Sequence, residues 1–429
     1  MIIVFKKTTY FERIIYYFLL PDLFAKIVYE IILHVPAITV NQPKQFLFYG
    51  FLAIEYGLMI IGKTPVRFNI ARVAAIGIVL ALMIFQGILT GLWWGNSLSR
   101  ILIDTINVLV VLANLMIFSD PRSTADTDFG RIFTANRCFA VVMVLLSVVA
   151  MAVNPVSGIT FGGSASSAVV ISLLMAELFT LKYLTVANIA KSLLSAILLV
   201  ATAQSWNRTT LLFLAVATLI YLLRRAGRNP YRVMSIAAAS VFCASALFML
   251  LPEDSALARR ISGLEDVDLS SRTGSIGERE AESDAVGAKI DALGSGGTIF
   301  GAGHGAAYDV RYTWEWKLNY SNAHYGWVLF YLRYGEIGYI YFGLWFLALV
   351  VSIYRTWRSN NPTSILVCLL AVWNLGYLGT YGYFSFFIAG MPFVQAAIRR
   401  RPLPRAAPSL SVPAPNTAAL TSNLNGRWT

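Results

Sequence analysis

Charge is scarce in this chain: 13% of its 429 residues are Asp, Glu, Lys or Arg, whereas 57% are hydrophobic and the mean hydropathy is +0.64. A water-soluble domain carries roughly twice that charge, so this class is excluded. Cysteine is almost absent, and Cys138, Cys243 and Cys368 all fall inside apolar runs, which rules out a disulfide framework or a cysteine zinc site. Several motifs are missing too. There is no Gly-x-Ser-x-Gly elbow and no His/Cys set at metal-ligand spacing, so serine hydrolysis and a His/Cys metal centre lose support. Internal repeats are lacking. A cleavable leader is not expected, because the segment after Lys6-Lys7 is broken at Pro21-Asp22 and has no small-residue cleavage site.

What is present is a series of apolar runs of membrane-spanning length. They lie near 46–62, 70–91, 98–118, 132–153, 164–182, 185–204, 207–223, 231–251 and 326–353, with two shorter ones near 363–379 and 381–398. Residues 11–38 are apolar but interrupted by Glu12, Arg13, Pro21, Asp22, Lys26 and Glu30, and read either as a poor first span or as a helix lying in the interface. The expected fold is therefore all-α, a polytopic helical bundle of about 11–12 transmembrane helices with one large loop. Its parts are 1–251 (N-terminal membrane helices), 252–322 (loop), 323–400 (C-terminal membrane helices) and 401–429 (a Pro/Ala/Ser/Asn-rich disordered tail).

The formal charge of +12 suggests nucleic-acid binding until it is divided by position. Residues 252–322 hold twelve of the 22 acidic and seven of the 34 basic residues, a net of −5, which leaves +17 elsewhere. The basic residues cluster in short connections: Lys63 and Arg67, Arg122 and Arg131, Lys182, Arg224 to Arg232, Arg355 and Arg358, and Arg399 to Arg405. All lie on one side if the runs alternate, so the positive-inside rule places that side and both termini in the cytoplasm and the 252–322 loop outside. No nucleic-acid partner is expected.

A mostly lipid-embedded chain does aqueous chemistry where water and lipid meet, and the loop delivers His324 to the mouth of the span that begins near Tyr325. Histidine is the side chain best suited to proton transfer near neutral pH. The bland reading of His324 is an interfacial helix cap. Arg208 sits at the outer end of its span on the side that should be poor in arginine, where it needs an anionic partner such as a pyrophosphate, or else snorkels to anionic headgroups or forms a structural ion pair. Arg272 and Arg311 are the other cationic candidates in the acidic loop. Within that loop, Glu278–Lys289 suggests a short exposed helix. Gly301-Ala-Gly303-His304-Gly305 reads as a tight turn that docks the loop on the bundle, since no βαβ unit surrounds it. Glu55, Asp104 and Glu177 are the chief ionisable residues of the earlier spans, too few for an ion-coupled pathway.

In three places, in order, the chain resembles the superfamily of O-antigen ligases and Wzy-type polysaccharide polymerases. These are Ser205-Trp-Asn-Arg208, then Ser271-Arg272 followed by Ile299-Phe-Gly301-Ala-Gly303, and then Ala323-His324 with Gly335 and Gly338. The resemblance covers roughly residues 40–400. Members of that superfamily usually follow the histidine with Asn or Ser and often carry Glu nine residues on; this chain has Tyr325 and Arg333 there. The usual tryptophan after the loop arginine is missing, with Glu280 and Glu282 nearby.

The resemblance implies an inverting, metal-independent glycosyl transfer at the outer face of the bacterial inner membrane, without a cofactor. The donor it implies is an undecaprenyl-pyrophosphate-linked glycan, and the partners are a glycan acceptor, the bilayer and other polysaccharide-assembly proteins. Arg208 and Arg272 would hold the pyrophosphate, with Arg311 in reserve, and His324 would act as general base. Tyr308, Tyr312, Trp314, Trp316 and Tyr320 offer faces for sugar rings to stack on, or form an aromatic belt at the interface. Polymerisation of repeat units into exopolysaccharide or O-antigen is the expected reaction. The alternatives are a ligase moving the glycan to lipid A core or protein, and a transporter of the same lipid-linked glycans.

Overall fold

The computed structural model describes residues 8–34, 41–64, 66–68, 73–124, 127–153, 164–180, 185–203, 274–312, 316–321, 323–359 and 361–380, with isolated positions at 216, 219, 392 and 394. The chain is mostly helical. Its first helix, α1 (Tyr10–Ala25), starts at a capping box in which the Thr9 hydroxyl accepts from the Glu12 N–H and the Glu12 carboxylate accepts from the Thr9 N–H, each at 3.2 Å. It runs past Pro21 into a π-helical segment, Lys26–Ile32. Four of the residues that interrupt this stretch, Glu12, Asp22, Lys26 and Glu30, are buried, and two ion pairs form here. Arg13 Nε lies 2.9 Å from Glu55 Oε1, which also accepts from the Tyr17 hydroxyl at 2.7 Å, and Lys26 pairs with Glu30 one turn on.

Next come α2 (Asn41–Ile60), α3 (Ala74–Trp93), α4 (Leu98–Phe118), α5 (Phe129–Val153), α6 (Ser164–Thr180) and α7 (Val186–Ala203). After residues outside the description follow α8 (Gly274–Ala292), α9 (Gly294–Phe300), strands β1 (Tyr308–Arg311) and β2 (Trp316–Tyr320), α10 (Gly326–Tyr334), α11 (Glu336–Thr356) and α12 (Pro362–Thr380). Among the described residues, α3, α4, Phe129–Ala150 of α5, and α11 are long and apolar enough to cross a membrane. The chain is thus a helical membrane protein with several such helices. The expected tail, 401–429, lies outside the described residues.

The face each helix buries follows from where small or polar residues recur at helical spacing. On α3 the buried positions are Gly77, Leu80, Met83, Gly87 and Gly91, one stripe along the helix, while Ile78, Leu82, Phe85, Leu89 and Trp93 are exposed as lipid-facing residues would be. On α4 the buried face includes Asp104, Asn107 and Asn114. Each has a partner: Arg333, the Tyr49 hydroxyl, and the Tyr10 hydroxyl at 2.6 Å.

Three sequence expectations are corrected. The apolar run 326–353 is two helices, because Gly335 takes φ +63° between α10 and α11, a conformation that L side chains rarely adopt. Gly338 then lies against the Phe330 carbonyl, so the two helices pack closely where a side chain would intrude. The helix expected as short and exposed over 278–289 spans Gly274–Ala292 and buries Glu282, Val286 and Ile290. Finally, the fold is not purely α: β1 and β2 pair antiparallel, with Tyr308 opposite Tyr320 and Arg311 opposite Trp316.

Candidate functional site

Glu282, Val286 and Ile290 recur every four residues on α8 and form its inner face, each at most 1% exposed. Against this face β1 alternates, with Tyr308 and Val310 buried and Asp309 and Arg311 outward, and Tyr312, just beyond the strand, is buried again. A carboxylate in such an apolar layer needs donors. Glu282 has three: the Tyr312 hydroxyl at 2.6 Å and the His324 ring at Nδ1, also 2.6 Å, both on Oε1, and the His324 backbone N–H on Oε2 at 2.8 Å. The histidine side chain is 28% exposed, whereas that of Glu282 is 1% exposed.

Burial alone would raise the Glu282 pKa, but the hydrogen bonds from His324 and Tyr312 outweigh it and hold the carboxyl below its usual range. The same site pushes the Tyr312 phenol well up, through burial and the neighbouring Glu282. Since a carboxylate only accepts, its contact with Nδ1 selects the tautomer whose proton sits on Nδ1, and the lone pair of the neutral ring is then on Nε2. Beside this group, Arg279 of α8 lies over the Tyr325 ring at 5.5 Å, and Tyr325 stacks on Trp327 at 5.9 Å. Lys317 lies over Tyr312 and Tyr320, at 5.2 and 5.4 Å.

The turn that follows α9 connects this layer to α3 and α4. Gly301, Gly303 and Gly305 have φ of 78°, 79° and 76°. The His304 N–H donates to Gly87 O at 2.8 Å, Trp94 Nε1 donates to Gly301 O at 3.0 Å, and Asn96 Nδ2 donates to Ala302 O and His304 O at 2.8 and 2.9 Å. The His304 ring fills the space that side chains at Gly87 would occupy, with Nδ1 2.9 Å from Thr105 Oγ1 and Nε2 2.9 Å from the Tyr334 hydroxyl. Burial, helped by the charge of Arg333, pushes its pKa down to about 3, so His304 is a neutral packing residue.

Behind the turn, Arg333 Nη2 meets Asp104 Oδ2 at 2.8 Å and donates to Ser321 O at 2.9 Å, while Nη1 donates to Ala306 O at 2.6 Å. Asp104 Oδ2 also accepts the Gly305 N–H at 2.7 Å. The arginine that stands where the resemblance would put a glutamate is thus a buried strut.

Of the sequence candidates, His324 stands in the carboxylate–histidine group, and in the turn Gly301 lies against the end of α10 and Gly303 against α3. Arg311 is exposed on the face of β1 opposite to Tyr312 and Glu282, so the strand turns it away from His324. Arg208 and Arg272 lie outside the described residues, as do Trp314 and Cys243. Tyr308 and Tyr312 are 3% and 6% exposed and therefore offer no sugar-stacking face, whereas Trp316 is 65% exposed. Sequence reasoning gave Glu282 no role and gave Tyr312 only that of a sugar-stacking or belt aromatic. The four-residue period of Glu282, Val286 and Ile290 was the available signal. Among the described residues no group of three His, Cys, Asp or Glu side chains is placed to hold a metal ion. No protein-family model and no curated protein matches the chain.

Proposed function

We propose that this protein is a glycosyltransferase that polymerises undecaprenyl-pyrophosphate-linked repeat units at the outer face of a bacterial inner membrane. In this reading about 11–12 spans alternate across the bilayer, both termini are cytoplasmic and residues 252–322 lie outside, as the distribution of Lys and Arg favours. The observation that carries the reading is the partly exposed His324 held through Nδ1 by the buried Glu282, the arrangement of a general base whose other nitrogen takes the proton.

The acceptor hydroxyl oxygen attacks the anomeric carbon of the donor from the face opposite the pyrophosphate. As the new C–O bond forms, the anomeric C–O bond to the pyrophosphate breaks and its electron pair leaves with the lipid pyrophosphate. The hydroxyl proton passes to His324 Nε2. Arg208 and Arg272 neutralise the departing charge, a role that the resemblance assigns to them and that guanidinium geometry suits. The pyrophosphate linkage supplies the driving force, so no nucleotide site is required.

The test is deletion of the gene in its host, complementation with wild type or His324→Ala, and analysis of surface glycan and lipid-linked intermediates. Single repeat units accumulating on the lipid carrier with His324→Ala support the proposal. Long lipid-linked chains that never reach an acceptor point instead to a ligase. Normal surface glycan with correctly inserted His324→Ala protein overturns the assignment.

A further inference from the structure

We infer that Glu282 is the positioning residue of this site: it fixes which nitrogen of His324 takes the proton, and α8 and Tyr312 exist in this place to hold that carboxylate. The inference rests on the proposed role of His324 as base. Nothing in the sequence resemblance assigns Glu282, so the assignment stands on geometry. One carboxylate binds the same histidine twice, by its backbone N–H at 2.8 Å and its ring at 2.6 Å, which fixes both the position of the residue and the rotation of its ring. The Tyr312 hydroxyl, at 2.6 Å from the oxygen that faces Nδ1, provides a third donor.

The burial contrast gives the direction of action. Glu282 at 1% side-chain exposure is withdrawn from substrate, whereas His324 at 28% is reachable, so the carboxylate acts through the imidazole. A glutamate placed only to stabilise the α8–α10 contact would be satisfied by the backbone N–H and by Tyr312. The bond to the ring adds selection of the Nδ1–H tautomer and stabilises the imidazolium that forms when Nε2 takes a proton. This is the logic by which a buried carboxylate orients a catalytic histidine in the serine-protease triad.

Glu282→Gln separates the roles because it preserves shape. The glutamine carbonyl accepts the His324 N–H, but its amide N–H2 turned to the ring donates to Nδ1, which moves the ring proton to Nε2 and removes the base. The chain has only three histidines, His34, His304 and His324, so 15N-histidine spectra of the purified full-length protein are tractable, with the His324 signals assigned by their loss in His324→Ala.

In the neutral ring, the wild type is expected to carry the proton on Nδ1 of His324, and Glu282→Gln on Nε2. With lipid-linked donor, Glu282→Gln is expected to lower kcat by about a hundredfold to ten-thousandfold with KM within a few-fold. Tyr312→Phe, which deletes one oxygen, retains the wild-type tautomer and a larger share of kcat, and it serves if Glu282→Gln does not fold. A His324 proton on Nε2 in the wild type, or an unchanged tautomer in Glu282→Gln, overturns the inference. So does full activity of Glu282→Gln when His324→Ala is dead, an outcome that leaves the glycosyltransferase reading standing. Full activity of His324→Ala overturns that reading instead, and the tautomer result is independent of both.

Discussion

The Arg333 guanidinium of α10 and the Asp104 carboxylate of α4 meet at 2.8 Å with side chains 1% and 6% exposed, and among the described residues the pair also hydrogen-bonds the loop at Gly305 N–H, Ala306 O and Ser321 O. Ser321 lies three residues before His324. The ion pair therefore ties an apolar helix, the glycine turn and the segment that delivers the histidine into one unit.

Removing one partner leaves an uncompensated buried charge, so Arg333→Ala should cost about 3–5 kcal/mol. Thermal unfolding of the detergent-solubilised protein checks this. Arg333→Met combined with Asp104→Asn should lose less than the single Arg333→Ala change, because no lone charge remains; an equal or greater loss would show that the uncompensated charge is not the source of the cost.

The turn at Gly303 has no room for a side chain. Its φ is +79°, and a Cβ there would fall on the backbone of Gly91 in α3. The left-handed conformation alone costs an alanine about 1–2 kcal/mol, and the clash adds to it. Gly303→Ala is expected to lift the turn from the α3–α4 hairpin and speed proteolytic cleavage within 294–320, while Gly287→Ala, where nothing lies within 4 Å of the added carbon, should leave the rate unchanged.

Acid should weaken the fold in two windows. The pKa of His304 is about 3 in the folded state and about 6.5 in an unfolded chain, so the unfolded state binds more protons between those values. Stability from neutral His304 is complete above about pH 6.5 and erodes as the pH falls toward 3. Glu282, held below its usual range by its donors, contributes stability above the ordinary carboxylate value of about 4.3, which is lost as the pH falls through its folded pKa. Unfolding midpoints should decline from pH 6.5 downward in the wild type. A shallower decline is expected in His304→Gln above pH 5, and in Glu282→Gln only below about pH 4.5. Parallel curves for all three proteins would contradict both assignments.

Hydropathy by itself determined that this is a helical membrane protein, because the cost of burying charge in lipid is set by composition and run length, which are properties of the chain alone. His324 was legible for a related reason: a titratable residue at the junction of a polar and an apolar segment stands out in one dimension. The break at Gly335 was not legible, since a run of apolar residues looks the same whether it forms one helix or two, and the positive φ that divides it depends on the contact with Thr298 and Gly301. Nor could the linear pattern distinguish His304 from His324. One is sealed between α3 and Tyr334 and the other is tied to Glu282 with its ring partly open, a difference of surroundings and not of residue type. The partners of Glu282 and Arg333 were likewise decided only by the tertiary structure, because a buried charge takes whichever donors or acceptors packing brings within hydrogen-bond reach, and that reach is through space.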